Sequence, residues 1–413
     1  AEHYPLSHAQ RRLWVLSQLD GASAAYNMPM ALLLEGPIDG AAFDRAYARL
    51  IERHEALRTA FVVIDGAPRQ KIVPAGSAVL GRLDLSQRAH PEEPARELAL
   101  ADAAAPFDLE SGEPIRASLL RLAEDRHVLL LNMHHIVSDD WSLTVLVREF
   151  VRLYSALAGG AAETLPPLSL QYRDYARWQN DYLAGEAAAA HREYWHGKLA
   201  GELPRLDLAT DFPRPKVKTY RGRTLGFRLD GDRTAAMSAL AREHNASLFM
   251  VLVAAVKALL YRYTGQDEIL IGFPIAGRNH PDLESQIGFY VNTLPLRDRV
   301  RGEASFRQLL DQVRATATEA YEHQPYPFDR LVDELDVARN VSRSPMFDVV
   351  VVMQNAAAPA PAIDGLAVRP FIREYDASKF DLSFGFEERD GGLQVDLTYN
   401  TDLFLPARKK RMG

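Results

Sequence analysis

The stretch Met133-His134-His135-Ile136-Val137-Ser138-Asp139-Asp140-Trp141-Ser142 gathers two imidazoles and two carboxylates within seven positions. Imidazole is the side chain best suited to moving protons near neutral pH. At a strand end inside a cleft, a histidine can accept a proton from an attacking amine or hydroxyl. It can also donate a hydrogen bond to a tetrahedral intermediate. The competing reading of either ring is a buried histidine satisfied by backbone groups. Asp139 stands where a carboxylate caps the free amides of a helix, which favours a role in holding the turn over proton transfer. If buried, it needs a cationic partner. Adjacent histidines on extended backbone point to opposite sides, so a shared metal ion is disfavoured and no metal is expected.

These residues need rigid elements on either side. The apolar run 127–132 predicts a buried strand before them. Leu143, Leu146, Val147, Phe150, Val151 and Tyr154 recur at helical spacing after them. The pair therefore sits on a strand-to-helix turn, a common position for chemistry in α/β enzymes. Upstream, the pattern predicts a helix over 7–19, a strand over 28–34, an amphipathic helix over 41–57 and a hairpin around Asp65-Gly66. A strand over 115–122 pairs with the apolar run. Residues 159–167 read as a linker. The second half repeats the recipe: a helical stretch over 172–199, extended chain over 203–215, helices over 233–244, 248–263 and 306–323, and strands over 225–229, 268–273, 347–353, 380–386 and 393–399. Two related lobes are expected, 1–170 and 171–413, and clefts between lobes are common ligand sites.

The 413 residues are 47% hydrophobic and 25% charged, an ordinary globular composition. The net charge of −7 argues against a nucleic-acid binder. The one cationic run, Arg408-Lys409-Lys410-Arg411, reads as a solvated end. The absence of cysteine excludes disulfides, thiolate metal sites and a cysteine nucleophile. It fits a reducing compartment, and a cytoplasmic location is expected. No apolar run approaches the ~18 residues of a membrane span. The chain opens without methionine and reads as a piece of a longer polypeptide. It contains no G-x-S-x-G, no phosphate-cradling G-x-x-x-x-G-K-[ST] and no H-E-x-x-H. Acid–base or orienting chemistry without covalent catalysis is what remains.

His134-His135-Ile136-Val137-Ser138-Asp139 resembles the His-His-x-x-x-Asp-Gly signature of condensation domains from nonribosomal peptide synthetases. Further segments resemble the family's other motifs in the family's order: 7–14, 53–61, 172–178, Ile287-Gly288-Phe289-Tyr290-Val291-Asn292-Thr293-Leu294, 323–328 and 342–347. The resemblance implies an α/β, layered α+β fold. Two chloramphenicol-acetyltransferase-like lobes would form a V-shaped pseudo-dimer around a central tunnel. It implies amide-bond formation between a carrier-bound acyl or peptidyl thioester and the amine of a carrier-bound aminoacyl group. No intrinsic cofactor is implied; both reactants would arrive on 4'-phosphopantetheine arms. The implied partners are an upstream donor and a downstream acceptor carrier protein and an adjacent adenylation domain, with neither nucleic acid nor membrane.

Position by position, the resemblance makes His135 the catalytic histidine. His134 packs within the loop, and Asp139 pairs with Arg278. Asp140, Trp141 and Ser142 support the site, and Asn292, Gly288, Tyr290 and Ser344 fall along the tunnel. Segments 23–29 and 276–281 resemble the subtype that joins two L-residues. One position departs from the signature: Asp140 stands where the family has glycine. Aspartate there raises the histidine's proton affinity, obstructs the tunnel, adds a helix cap or marks an introduced change. The departure leaves a second class of function open: a condensation-like scaffold that recruits carrier or tailoring proteins without turnover. The C-terminus is expected to fall about one helix short of a full family domain.

Overall fold

The structure, a computed structural model, describes residues 2–18, 23–76, 79–161, 165–337, 340–354, 362–372 and 377–405. The basic run 408–411 lies outside them, as do Leu19 and residues 162–164 of the expected linker.

The chain divides into two compact units. The first comprises Ala1–Ala184, Arg278–Val291 and Ala358–Tyr375. The contacts do not divide at the expected cut between residues 170 and 171. Helix Tyr172–Ala184 belongs to the first unit, and two later segments return to it. The reason is local: Tyr172 is fully enclosed in a cluster with Leu6, Phe61, Ile136 and Tyr290.

The first unit is built on a five-stranded sheet in the order Ala367–Pro370, Asn27–Glu35, Arg126–His134, Ile115–Ala123, Gly81–Asp84. The last pair is parallel and the others antiparallel. Strand Arg126–His134 lies in the middle and is apolar on both faces. Leu131 and Met133 turn to a core shared with helices Gly40–Arg53 and Asp140–Ala158, through Phe43, Leu50, Leu146 and Tyr154. Val128 and Leu130 turn to the other face, where Ala95 and Ala99 of helix Glu92–Ala104 cover them. This is the two-residue alternation of a strand with both faces covered. A small sheet of Tyr4–Pro5, Ala67–Ile72 and Thr59–Ile64 completes the unit.

The second unit carries a six-stranded sheet, ordered Asn292–Arg299, Glu268–Ile275, Val349–Gln354, Leu382–Arg389, Gly392–Asn400, Gly222–Leu229. Helices Gly231–Glu243, Leu248–Thr264 and Phe306–Glu322 belong to it. Both units are thus mixed α/β, as expected.

Two expected helices are broken. The stretch 172–199 forms Tyr172–Ala184 and Ala189–Lys198, interrupted where Gly185 adopts an extended backbone. The helix expected over 41–57 ends at Arg53, because His54 leaves it with φ −103° and ψ 102°. Helix Glu92–Ala104 and strands Gly81–Asp84, Asn292–Arg299 and Ala367–Pro370 were not expected from the pattern. The helix is alanine-rich with little apolar contrast. The strands are short, or carry proline and charges.

Candidate functional site

The two histidines follow directly from the central strand. His134 is its last residue, paired with Asn27 across the sheet, and its backbone N–H donates to the Pro114 carbonyl at 2.9 Å. Its ring is fully buried beside Phe107, with centroids 6.1 Å apart. The Ile136 N–H donates to His134 Nδ1 at 3.1 Å, so that nitrogen is an acceptor and a neutral His134 carries its proton on Nε2. His135 opens a short 3-10 turn, His135–Val137, and is half-buried. Its Nδ1 lies 3.0 Å from the Ser138 carbonyl, which can only accept. A neutral His135 therefore carries its proton on Nδ1, and Nε2 is the ring's acceptor. The neighbouring imidazoles thus hold opposite tautomers. The Phe289 ring meets His135 edge-on at 5.6 Å.

Asp139 caps the helix Asp140–Ala158. Its Oδ1 accepts from the Ser142 N–H at 2.8 Å and from Arg278 Nη2 at 3.1 Å, and its Oδ2 accepts from the Tyr290 N–H at 3.0 Å. Arg278 also donates to Ser142 Oγ at 2.7 Å, to the Gln286 carbonyl at 2.9 Å and to the Leu283 carbonyl. Its guanidinium lies 4.2 Å from the Tyr290 ring centroid. A buried charge pair holds only when its remaining donors and acceptors are met, and here backbone carbonyls and hydroxyls supply most of them. Ser142 Oγ donates to the Gly288 carbonyl at 2.8 Å and accepts from the Gly288 N–H at 3.0 Å. Trp141 donates from Nε1 to the Glu284 carbonyl at 2.9 Å. Asp140, the first residue of the helix, is exposed.

Other segments brace the loop from behind. Ser7 and Gln10 form a capping box at the start of helix His8–Ser17. Gln10 Nε2 then donates to the Ile136 carbonyl at 3.2 Å, inside the histidine turn. The Ser7 hydroxyl contacts the Tyr172 hydroxyl at 2.8 Å, and Tyr172 donates to the Phe289 carbonyl at 2.7 Å. Arg173 reaches Glu55 at 3.1 Å. On the far side, Glu149 accepts from Arg53 Nε at 3.0 Å and bonds His54 Nε2 at 2.7 Å. That clamp fixes the helix that begins at Asp140. Sequence reasoning missed Glu149 and Phe289. The available signal for Glu149 was an acid amid Leu146, Val147, Phe150 and Val151; for Phe289 it was a place inside the 287–294 motif, between Gly288 and Tyr290.

The positions expected along a tunnel are held in packing and hydrogen bonds. A Cβ on Gly288 would lie 2.0 Å from the Tyr172 ring, so that glycine makes room for an aromatic neighbour. Tyr290 is buried, and its hydroxyl donates to Gln286. In the second unit, Asn292 donates to the Gln324 and Tyr326 carbonyls at 2.9 and 2.8 Å and accepts from the Phe328 N–H at 2.9 Å. It thereby shapes the 323–328 segment. Ser344 is buried and accepts from Lys218 Nζ at 2.6 Å. Gly288, Tyr290 and Ser344 are all buried. Among the described residues, no group of three or more metal-ligating side chains converges.

Comparison with known proteins agrees with this architecture. The family model described as "Condensation domain" matches residues 1–412. Bacitracin synthase 3 of Bacillus licheniformis is 41% identical over 414 residues, covering 100% of this chain and 6% of that protein. Tyrocidine synthase 3 of Brevibacillus parabrevis is 41% identical over 412 residues, covering 100% of this chain and 6% of that protein. Among solved structures, the X-domain from teicoplanin biosynthesis superposes with a TM-score of 0.91 at 28% identity, covering 100% of this chain and 93% of that one. The chain belongs to the condensation-domain family. It spans only a small part of the length of the curated relatives it matches. Condensation domains of such synthetases catalyse peptide-bond formation between carrier-bound substrates.

Proposed function

We propose that this chain joins a carrier-bound acyl or peptidyl thioester to the amine of a carrier-bound aminoacyl group, forming an amide bond within a nonribosomal peptide synthetase. The observation that carries the reading is the presentation of His135. Its Nδ1 bonds the Ser138 carbonyl, which sets the tautomer of the neutral ring and puts the lone pair on Nε2. The turn beneath it is held by Asp139, Arg278 and Gln10. In the reaction, the acceptor amine attacks the donor thioester carbonyl. A tetrahedral intermediate forms, and the carrier thiolate leaves. His135 Nε2 receives the amine proton or, once protonated, hydrogen-bonds the intermediate. An uncharged amine is already nucleophilic, so much of the acceleration comes from holding the two reactants together. Asp139 and Arg278 act through His135 as positioning residues, and His134 holds the turn.

The two compact units correspond, in this reading, to the two acetyltransferase-like lobes. The partners are the upstream donor and downstream acceptor carrier proteins, delivering substrates on phosphopantetheine arms, with an adenylation domain adjacent. The location is cytoplasmic. Resemblance at 23–29 and 276–281 supports coupling of two L-residues. The test supplies both loaded carrier proteins and follows the dipeptidyl product by intact mass. Product formed by this chain and lost in His135→Ala supports the reading; equal product with and without the chain refutes it.

A second reading, a scaffold that recruits carrier or tailoring proteins without turnover, draws on two observations. Asp140 replaces the signature glycine. The X-domain has also been solved in a complex with OxyB, and that structure superposes with a TM-score of 0.90 at 29% identity. Carrier binding without product would favour it.

A further inference from the structure

Outside its own turn, His135 meets the ring of Phe289, with centroids 5.6 Å apart and planes inclined at 63°. The bond from His135 Nδ1 to the Ser138 carbonyl runs within the turn and sets the tautomer. By itself that bond leaves the ring free to swing about it, because the outer torsion of histidine has a broad, two-fold profile in place of sharp staggered wells. A second surface is needed to fix where Nε2 points.

The backbone around Phe289 suits it to be that surface, since it is pinned on three sides. The residue before it, Gly288, donates its N–H to Ser142 Oγ at 3.0 Å, and its carbonyl accepts from the same hydroxyl at 2.8 Å. The carbonyl of Phe289 itself accepts from the Tyr172 hydroxyl at 2.7 Å. The residue after it, Tyr290, donates its N–H to Asp139 Oδ2 at 3.0 Å. Asp139 and Ser142 belong to the helix start that follows the histidine turn, so both rings hang from one anchor. Gly288 and Tyr290 are buried, whereas Phe289 is half-buried against the cluster of Leu6, Phe61 and Ile136. A ring that served only to fill the core would be enclosed; this one is fixed at its backbone and left partly open.

We infer that Phe289 is a positioning residue for condensation, holding the His135 ring with Nε2 toward the reactants. The inference rests on the reading of His135 as the group that receives the amine proton. An aromatic pair favours one arrangement by about two- to tenfold beyond the area it buries. Phe289 acts through the imidazole and touches neither reactant.

The experiment is a double-mutant cycle on dipeptide formation from both loaded carrier proteins, read alongside nitrogen NMR spectra of the imidazole rings. Phe289→Leu keeps an apolar side chain and removes the ring. It is expected to lower the single-turnover rate about two- to tenfold, with the half-saturating concentration of the acceptor carrier unchanged. Phe289→Tyr, which keeps the ring, holds the parent rate. In a His135→Ala background Phe289→Leu has no further effect, because the ring it positions is gone. In the spectra, the ratio of the Nδ1–H to the Nε2–H form of neutral His135 falls in Phe289→Leu and is kept in Phe289→Tyr. An equal rate loss from Phe289→Leu in both backgrounds overturns the inference, because Phe289 then acts on substrate or packing without the imidazole. So does a parent rate in Phe289→Leu. If His135→Ala leaves the rate unchanged, it is the reading of His135 that fails. The spectra then decide the ring contact on their own, a shifted ratio upholding it and an unshifted one overturning it.

Discussion

Asp139 and Arg278 lie 139 positions apart in the chain and meet at 3.1 Å, with side-chain exposures of 0% and 1%. The pair joins the N-terminus of the helix after the histidine turn to a segment that returns from much later in the sequence. Removing one partner of such a pair leaves the other buried and uncompensated, which costs about 3–5 kcal/mol. Arg278→Ala is therefore expected to lower the urea unfolding free energy by that order. Arg278→Met, which keeps bulk, should do nearly as badly, since Asp139 still loses its cationic partner. A loss below about 1 kcal/mol would show that the pair is not what holds the turn.

The two histidines should separate cleanly. His135→Ala is expected to slow dipeptide formation about a hundredfold to ten-thousandfold, the span of one lost acid–base group, with the unfolding midpoint little changed. His134→Ala removes a buried ring and the acceptor for the Ile136 N–H. It should lower stability by about 1–3 kcal/mol. Thermal melts alongside single-turnover rates measure both. The assignment fails if the two variants trade places.

The strand–turn–helix around these residues was legible because its apolar pattern changes period at His134, from a covered strand to a helical face. The Asp139–Arg278 pairing was legible only through the family's motifs, since nothing local marks an arginine 139 positions away. The unit boundary was not legible. Tyr172 reads as the start of a new helical segment, and only three-dimensional contact with Leu6, Phe61 and Tyr290 places it in the first unit. The close approach of the Tyr172 ring to Gly288 was not legible either, for the same reason: the two are far apart in the chain and meet only in the fold.

The His54–Glu149 contact predicts acid sensitivity. Burial holds the His54 imidazole below its ordinary value of 6.5, against the pull of Glu149. Burial pushes the Glu149 carboxyl up, but bonds and charges from His54 and Arg53 outweigh it and leave the group below its ordinary 4.5. Both groups therefore bind protons less readily folded than unfolded. Their contribution to stability is full above 6.5. It is lost as pH falls, first through His54 and then, below 4.5, through Glu149. The urea midpoint should drop between about pH 7 and about pH 5, the range of histidine titration. Other histidines contribute, so the readout is a difference: the drop should shrink in His54→Gln. An equal drop in both proteins rules this contact out as a source.

Asp140 is the remaining departure from the signature, and its position separates two effects. It is exposed in the first turn of helix Asp140–Ala158. There a carboxylate gains about 0.3–1 kcal/mol from the helix dipole, and glycine would further weaken the helix start. Asp140→Gly is thus expected to lower stability by about 1 kcal/mol. It is expected to raise the rate of dipeptide formation, by withdrawing bulk and charge at the position where the signature has glycine. Asp140→Asn keeps the bulk and removes the charge. If Asn accelerates as Gly does, the carboxylate's field was the obstacle; if only Gly accelerates, its size was. Should neither variant exceed the parent rate, Asp140 is a helix-start residue without bearing on turnover.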